Sequence, residues 1–128
     1  MSGESILIVD DNPLNLRLVS FLLTAKGYIV HTAINSEEAM NFLESAGNNL
    51  PALILMDIQL PGMDGLELTR ILKADDQFKK IPIVAITAYA MKGDKEKALA
   101  AGCNGYIAKP IDTRTLPDVL ENYIKKPS

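Results

Sequence analysis

The chain is expected to form an alternating α/β domain, five βα units around a parallel sheet covered by helices. Three observations predict this. Short apolar runs alternate with longer segments of helical pattern. Three of the runs, Ile6-Leu7-Ile8-Val9, Leu53-Ile54-Leu55-Met56 and Ile83-Val84-Ala85-Ile86, are unbroken and rich in β-branched residues and leucine. Strands buried on both faces have that composition, as strands of a parallel sheet do. The segments between runs are long enough for crossover helices.

Taken in order, Ile6 to Val9 is the first strand. Asp11 or Asn12 then caps a helix with Pro13 in its first turn, and Gly27 closes it. Leu14, Leu18, Phe21, Leu22 and Ala25 line one face of that helix and are expected to meet the core. Tyr28-Ile29-Val30 is the second strand, and Ser36, Glu38 and Ala39 open the second helix. Leu53 to Met56 is the third strand. Asp64-Gly65 leads into a helix with Leu66, Leu68, Ile71 and Leu72 apolar. Ile83 to Ile86 is the fourth strand. The helix after it runs roughly from Met91 to Ala101, stops at Gly102, and is intrinsically weak because it is lysine-rich and carries Gly93. Tyr106-Ile107-Ala108 is the fifth strand, and the last helix follows Asp112, with Pro117 leaving its first residue open.

With 128 residues, 48% hydrophobic and 23% charged, the composition is that of one ordinary globular domain. A net charge of -3 supplies no basic field for nucleic acid. Cys103 is the single cysteine, so it forms no internal disulfide and is expected to be a buried small hydrophobe in a reducing cytoplasm. No apolar run approaches a membrane span, and the start lacks the basic flank and apolar core of a signal peptide.

Polar residues interrupt the apolar runs at their carboxyl ends. Asp10 and Asp11 follow the first strand, Asp57 the third, Thr87 the fourth and Lys109 the fifth. In an open parallel sheet these ends share one edge, where ligands bind. Three carboxylates together repel unless a cation compensates, and Mg2+ takes oxygen ligands while keeping several waters. Alone, Asp10-Asp11-Asn12-Pro13 is a turn and helix cap. With Asp57 beside it, the metal is favoured. Asp57 is then a candidate nucleophile, since a carboxylate forms an acyl phosphate when a cation screens its charge. Lys109 supplies a second positive charge and Thr87 a hydroxyl for the phosphoryl oxygens. The bland alternatives are a loop-starting aspartate, a solvated lysine and a β-branched strand residue.

Asp10-Asp11, the stretch from Asp57 to Gly65 (DIQLPGMDG), Thr87-Ala88 and Lys109-Pro110 resemble the response-regulator receiver domains of two-component signalling. The likeness runs from about Ile6 to Ile124, and the chain is similar to stand-alone receivers of the DivK and CheY type and to receivers attached to hybrid histidine kinases. It implies a doubly wound, flavodoxin-like (βα)5 fold with strand order 2-1-3-4-5; a single receiver domain is expected over 1–128, with no output domain after the fifth helix. It implies Asp57 as phosphoacceptor, with phosphohistidine of a sensor histidine kinase or histidine phosphotransfer protein as donor. It implies Mg2+, replaceable by Mn2+, bound by Asp11, Asp57 and the backbone carbonyl of Gln59, with Asp10 acting largely through water. Thr87 and Lys109 would hold the phosphoryl oxygens, the Lys109-Pro110 peptide would be cis, and Tyr106 would be a switch aromatic that turns inward when Thr87 moves. The signal would leave through the face of the fourth helix, fifth strand and fifth helix to a downstream protein target, in the cytoplasm.

Tyr89, two positions past Thr87, is expected to shield the acyl phosphate from water. Lys92, Lys95 and Lys97 form either a basic docking surface or a solvated helix face. His31, the lone histidine, is read as structural. Two other functions compete with this one. A phosphohydrolase would carry a general acid two residues past the nucleophile, where this chain has Gln59. A receiver-like module that is never phosphorylated would have lost the acidic pair, Asp57 or Lys109, and none is lost. The protein is therefore expected to catalyse only its own modification and not to be a turnover enzyme.

Overall fold

The computed structural model describes residues 4–58, 64–87, 94–108 and 112–125. The elements alternate as β1 (Ser5–Val9), α1 (Pro13–Ala25), β2 (Ile29–Ala33), α2 (Ser36–Ser45), β3 (Leu53–Asp57), α3 (Gly65–Ala74), β4 (Ile83–Thr87), α4 (Asp94–Ala101), β5 (Gly105–Ala108) and α5 (Leu116–Lys125). The strands form one sheet in the order β2-β1-β3-β4-β5. All four pairings are parallel, with Leu7 opposite His31 and Ile54, Asp57 opposite Ile86, and Thr87 opposite Ala108. This is the flavodoxin-like α/β arrangement.

The unbroken apolar runs have the role their composition predicts. Ile6 to Val9, all of β3 and all of β4 are buried. Successive side chains point to opposite faces, so each central strand feeds two cores. Ile6, Ile8, Leu53, Leu55, Val84 and Ile86 pack with Leu16, Val19 and Leu23 of α1 and Leu116 and Leu120 of α5. Leu7, Val9, Ile54, Met56, Ile83 and Ala85 pack with Leu43 of α2, Leu68 and Leu72 of α3 and Ala98 of α4. Two helices thus cover one face and three the other. β2, at the sheet edge, is more open, with Ile29 exposed.

The capping signals of α1 hold. The Asn12 side chain accepts from the amides of Leu14 and Asn15, Pro13 is the first helical residue, and Gly27 follows the helix end with φ of 96°. The apolar face expected to meet the core is a correction. Leu14 is 74% and Phe21 71% exposed, and Leu18 also stands outward, whereas Leu16, Val19 and Leu23 are buried. This helix is apolar on two sides, so periodicity alone selects the wrong one; contact with β1 decides. Similarly, β2 begins one residue past Tyr28 and runs on through His31 and Thr32 to Ala33, pairing with β1 over five positions. Ladder hydrogen bonds to β1 draw that polar stretch into the sheet. Pro117 is the second residue of α5, within the first turn, where no intrahelical donor is needed.

Candidate functional site

β1, β3, β4 and β5 all run the same way, so their carboxyl ends lie along one edge of the sheet. Asp57 is the last residue of β3 and Thr87 the last of β4; Asp10 comes directly after β1. Asp57 is 3% exposed, Asp10 1% and Thr87 0%, while Asp11 faces solvent. One carboxylate oxygen from each of Asp10, Asp11 and Asp57 falls within 4.8 Å of the other two. The fold therefore brings the three predicted acids together.

The chain around them is tied on several sides. The Asp10 amide donates to the Ala33 carbonyl at the end of β2 (3.0 Å), which holds the β1 end against its neighbour. The Asp10 carboxylate accepts from the Asn12 amide at Oδ1 (2.9 Å) and from the Asn15 side-chain amide at Oδ2 (2.5 Å). Past Asp57, the Ile58 amide donates to the Ile86 carbonyl (3.1 Å), and the Gly65 amide to the Ile58 carbonyl (3.1 Å). α3 starts there, with the Asp64 side chain accepting from the Glu67 amide at 2.8 Å.

Like charges this close repel. For the two buried members, Asp10 and Asp57, the repulsion is on the order of 3 kcal/mol at an effective dielectric near 20. Two buried carboxylates and one exposed carboxylate, all oxygen donors, suit a hard divalent cation that keeps part of its water shell. The donor set fits a cation of the Mg2+ type on this ground.

Tyr106 lies in β5 opposite Ala85, half-buried and packed on the core beneath α3 and α4. Gln59, Tyr89, Lys92, Lys109 and the Lys109-Pro110 peptide lie outside the described residues. Lys95 and Lys97 are exposed on α4. His31 packs its ring on Phe42, centroids 4.6 Å apart, in keeping with the structural role expected of it. It also lines a cleft of about 420 Å³ with Glu4, Ser5 and Asn49, toward the opposite end of the sheet from the carboxylates. Two site residues escaped the sequence reading. Asn15 gave a faint signal, a polar side chain at the third helical position between Leu14 and Leu16. Gly65 is a helix start and the end of the family-like stretch in the sequence, and its close approach to the Asp57 backbone is visible only in the fold.

A parallel five-stranded sheet of this order with three acids at its carboxyl edge is an arrangement suited to cation-assisted phosphoryl acceptance. The chain belongs to the response regulator receiver domain family, whose model matches residues 6–121. It is 43% identical over 121 residues to the polar-differentiation response regulator DivK of Brucella anthropi, covering 94% of this chain and 96% of that protein. Among solved structures it resembles the receiver domain of a Pseudomonas aeruginosa sensor histidine kinase, solved with a magnesium ion coordinated in its active-site cleft. That likeness has a TM-score of 0.84 and 36% identity, over 98% of this chain and all of that one (100%). It also resembles the chemotaxis response regulator CheY4 of Vibrio cholerae, with TM-score 0.86 and 29% identity over 94% of this chain and 98% of that one. Among the described residues, no helix is long and apolar enough to cross a membrane.

Proposed function

We propose that this protein works as a single receiver domain that accepts a phosphoryl group on Asp57 and signals to a downstream protein. The observation that carries the reading is the meeting of Asp10, Asp11 and Asp57 at one strand edge. Asp57 is the natural nucleophile among the three, because it is buried at the end of the central strand β3, one register position from Thr87, which ends the next strand. In the transfer, an Asp57 carboxylate oxygen bonds to phosphorus as the P–N bond of a phosphohistidine breaks. The imidazole leaves with the electron pair and takes up a proton. The donor is a histidine kinase or a histidine phosphotransfer protein.

Asp10, Asp11, Asp57 and the Gln59 carbonyl would hold the cation, Mg2+ by preference and Mn2+ as a substitute for the same oxygens. When bound, it supplies the positive charge that lets an anionic carboxylate meet an anionic phosphoryl group. The relative solved with magnesium in its cleft supports that choice. Thr87 would donate its hydroxyl, and Lys109 its ammonium, to the phosphoryl oxygens, with a cis Lys109-Pro110 peptide setting the lysine. Tyr106 would turn inward as Thr87 moves and alter the face of α4, β5 and α5. A complete reversal of such a switch needs about 5.5 kcal/mol of differential stabilisation. A net charge of -3 supplies no basic field for nucleic acid, so the partners in this reading are proteins, and the single cysteine fits a reducing cytoplasm.

Incubation with acetyl phosphate and Mg2+, followed by intact mass, tests the reading. One phosphoryl adduct is expected, absent in Asp57→Asn and absent when EDTA is added. An adduct that persists in Asp57→Asn would end it.

A further inference from the structure

Asp10 is held at both of its oxygens. The Asn12 amide donates to Oδ1 at 2.9 Å and the Asn15 Nδ2 to Oδ2 at 2.5 Å. Asn12 in turn accepts, at its own side-chain oxygen, the amides of Leu14 at 2.9 Å and Asn15 at 3.2 Å. These links close a ring. Asp10 binds Asn12, Asn12 binds the Asn15 backbone, and the Asn15 side chain returns to Asp10. The acid cannot rotate without breaking both the bond from the Asn12 amide and the side-chain bond at its far oxygen.

We infer that Asn15 is a positioning residue for the cation site, one that fixes the orientation of Asp10 from the first turn of α1. The inference rests on the proposed function. Side-chain chemistry singles out asparagine here. An aspartate would set a fourth anion against the acidic group. A lysine would compete with the cation for Asp10. An alanine or leucine would take away the side-chain donor at Oδ2. Asparagine donates without net charge, so it orients the carboxylate and leaves its attraction for a cation intact. Partners of this kind around a ligand shell commonly change metal affinity about 10- to 100-fold when removed.

The test is titration of the full chain with MgCl2, followed by calorimetry or amide NMR shifts. It compares the unsubstituted protein with Asn15→Ala, Asn15→Leu and the control Leu14→Ala, whose side chain is 74% exposed on the same turn. Both Asn15 variants are expected to bind Mg2+ about tenfold more weakly, and Leu14→Ala within about twofold of the original. The Mg2+ concentration for half-maximal phosphorylation should rise in parallel. A residue that merely stabilised the helix would lower the melting temperature and leave Mg2+ affinity unmoved, and that outcome overturns the inference. If the unsubstituted chain binds Mg2+ but the Asn15 variants bind it equally well, this inference alone fails. If the unsubstituted chain binds none, the proposed function fails first and takes this inference with it.

Discussion

Gly65 lies directly against the backbone of Asp57. A Cβ at position 65 would sit 2.5 Å from the Asp57 carbonyl oxygen and 2.7 Å from the Ile58 Cα. Glycine is required here by close approach and not by an unusual φ, since the positive-φ glycines of the described chain are Gly27, Gly47 and Gly102. The first turn of α3 can therefore press onto the end of β3, and the Gly65 amide reaches the Ile58 carbonyl. Gly65→Ala gains at most about 1 kcal/mol of helix propensity. It must push backbone away from backbone, at about 1–3 kcal/mol or more. The expected result is net destabilisation in urea, together with slower phosphoryl uptake, because the displaced backbone carries the proposed acceptor, Asp57.

α1 provides a direct comparison of its two apolar sides. Leu23 is 0% exposed in the core under α1 and α5, and Phe21 is 71% exposed. Leu23→Ala should cost about 2–5 kcal/mol through lost burial and a cavity. Phe21→Ser should change stability by no more than about 0.5 kcal/mol. Equal losses in a denaturation series would mean that the helix is rotated so that Phe21 also meets the core.

The contrast shows where sequence reasoning succeeds and where it stops. β1, β3 and β4 were legible because strands buried on both faces must be continuously apolar, and the acids were legible because they end those runs. The orientation of α1 was not, because leucines lie all around it and only the sheet beneath decides which are buried. Asn15 and Gly65 were missed for a related reason. Their roles depend on atoms brought close by folding, a carboxylate across a turn and a carbonyl at a strand end, which spacing along the chain does not display.

Cys103 should make stability fall at alkaline pH. Its thiol is buried, and desolvation raises its pKa above 9.0, opposed in part by the hydrogen bond to Thr69 and by the charge of Lys73. Above pH 9.0 the unfolded chain loses this proton while the folded chain keeps it. The thiol's contribution is thus complete below that pH and lost as pH rises toward the higher folded value. The stability difference between the natural chain and Cys103→Ala should shrink from pH 8 to pH 10 in urea titrations, and the native thiol should react slowly with a disulfide reagent at pH 8. A difference that grows with pH would contradict the burial.

Lys73 and Asn104 join the end of α3 to the start of β5. The Lys73 ammonium donates to the carbonyls of Ile81 at 2.8 Å and Lys79 at 3.2 Å and to the Asn104 side-chain oxygen at 2.9 Å. That same oxygen accepts the Ile83 amide at 3.0 Å, and the Asn104 amide donates to the Ile83 carbonyl at 2.7 Å. The lysine stem also passes beneath Gly102, whose φ is +111° and where a Cβ would meet Lys73 Cγ at 2.8 Å. Desolvation lowers the pKa of Lys73, and the nearby Cys103 raises it. Three oxygen acceptors favour the charged form, so the group is a brace and not a poised nucleophile. Lys73→Met keeps the stem and removes the donors, at about 1–2 kcal/mol, and Asn104→Ala leaves the Ile83 amide without its side-chain acceptor, at about 1–3 kcal/mol. Because each removes a bond the other also makes, the double variant should lose about 1 kcal/mol less than the two single losses added together. Simple additivity in urea would show that the two residues stabilise the joint independently. The expected coupling would instead identify the entry to β5, the strand that carries Tyr106, as anchored from α3.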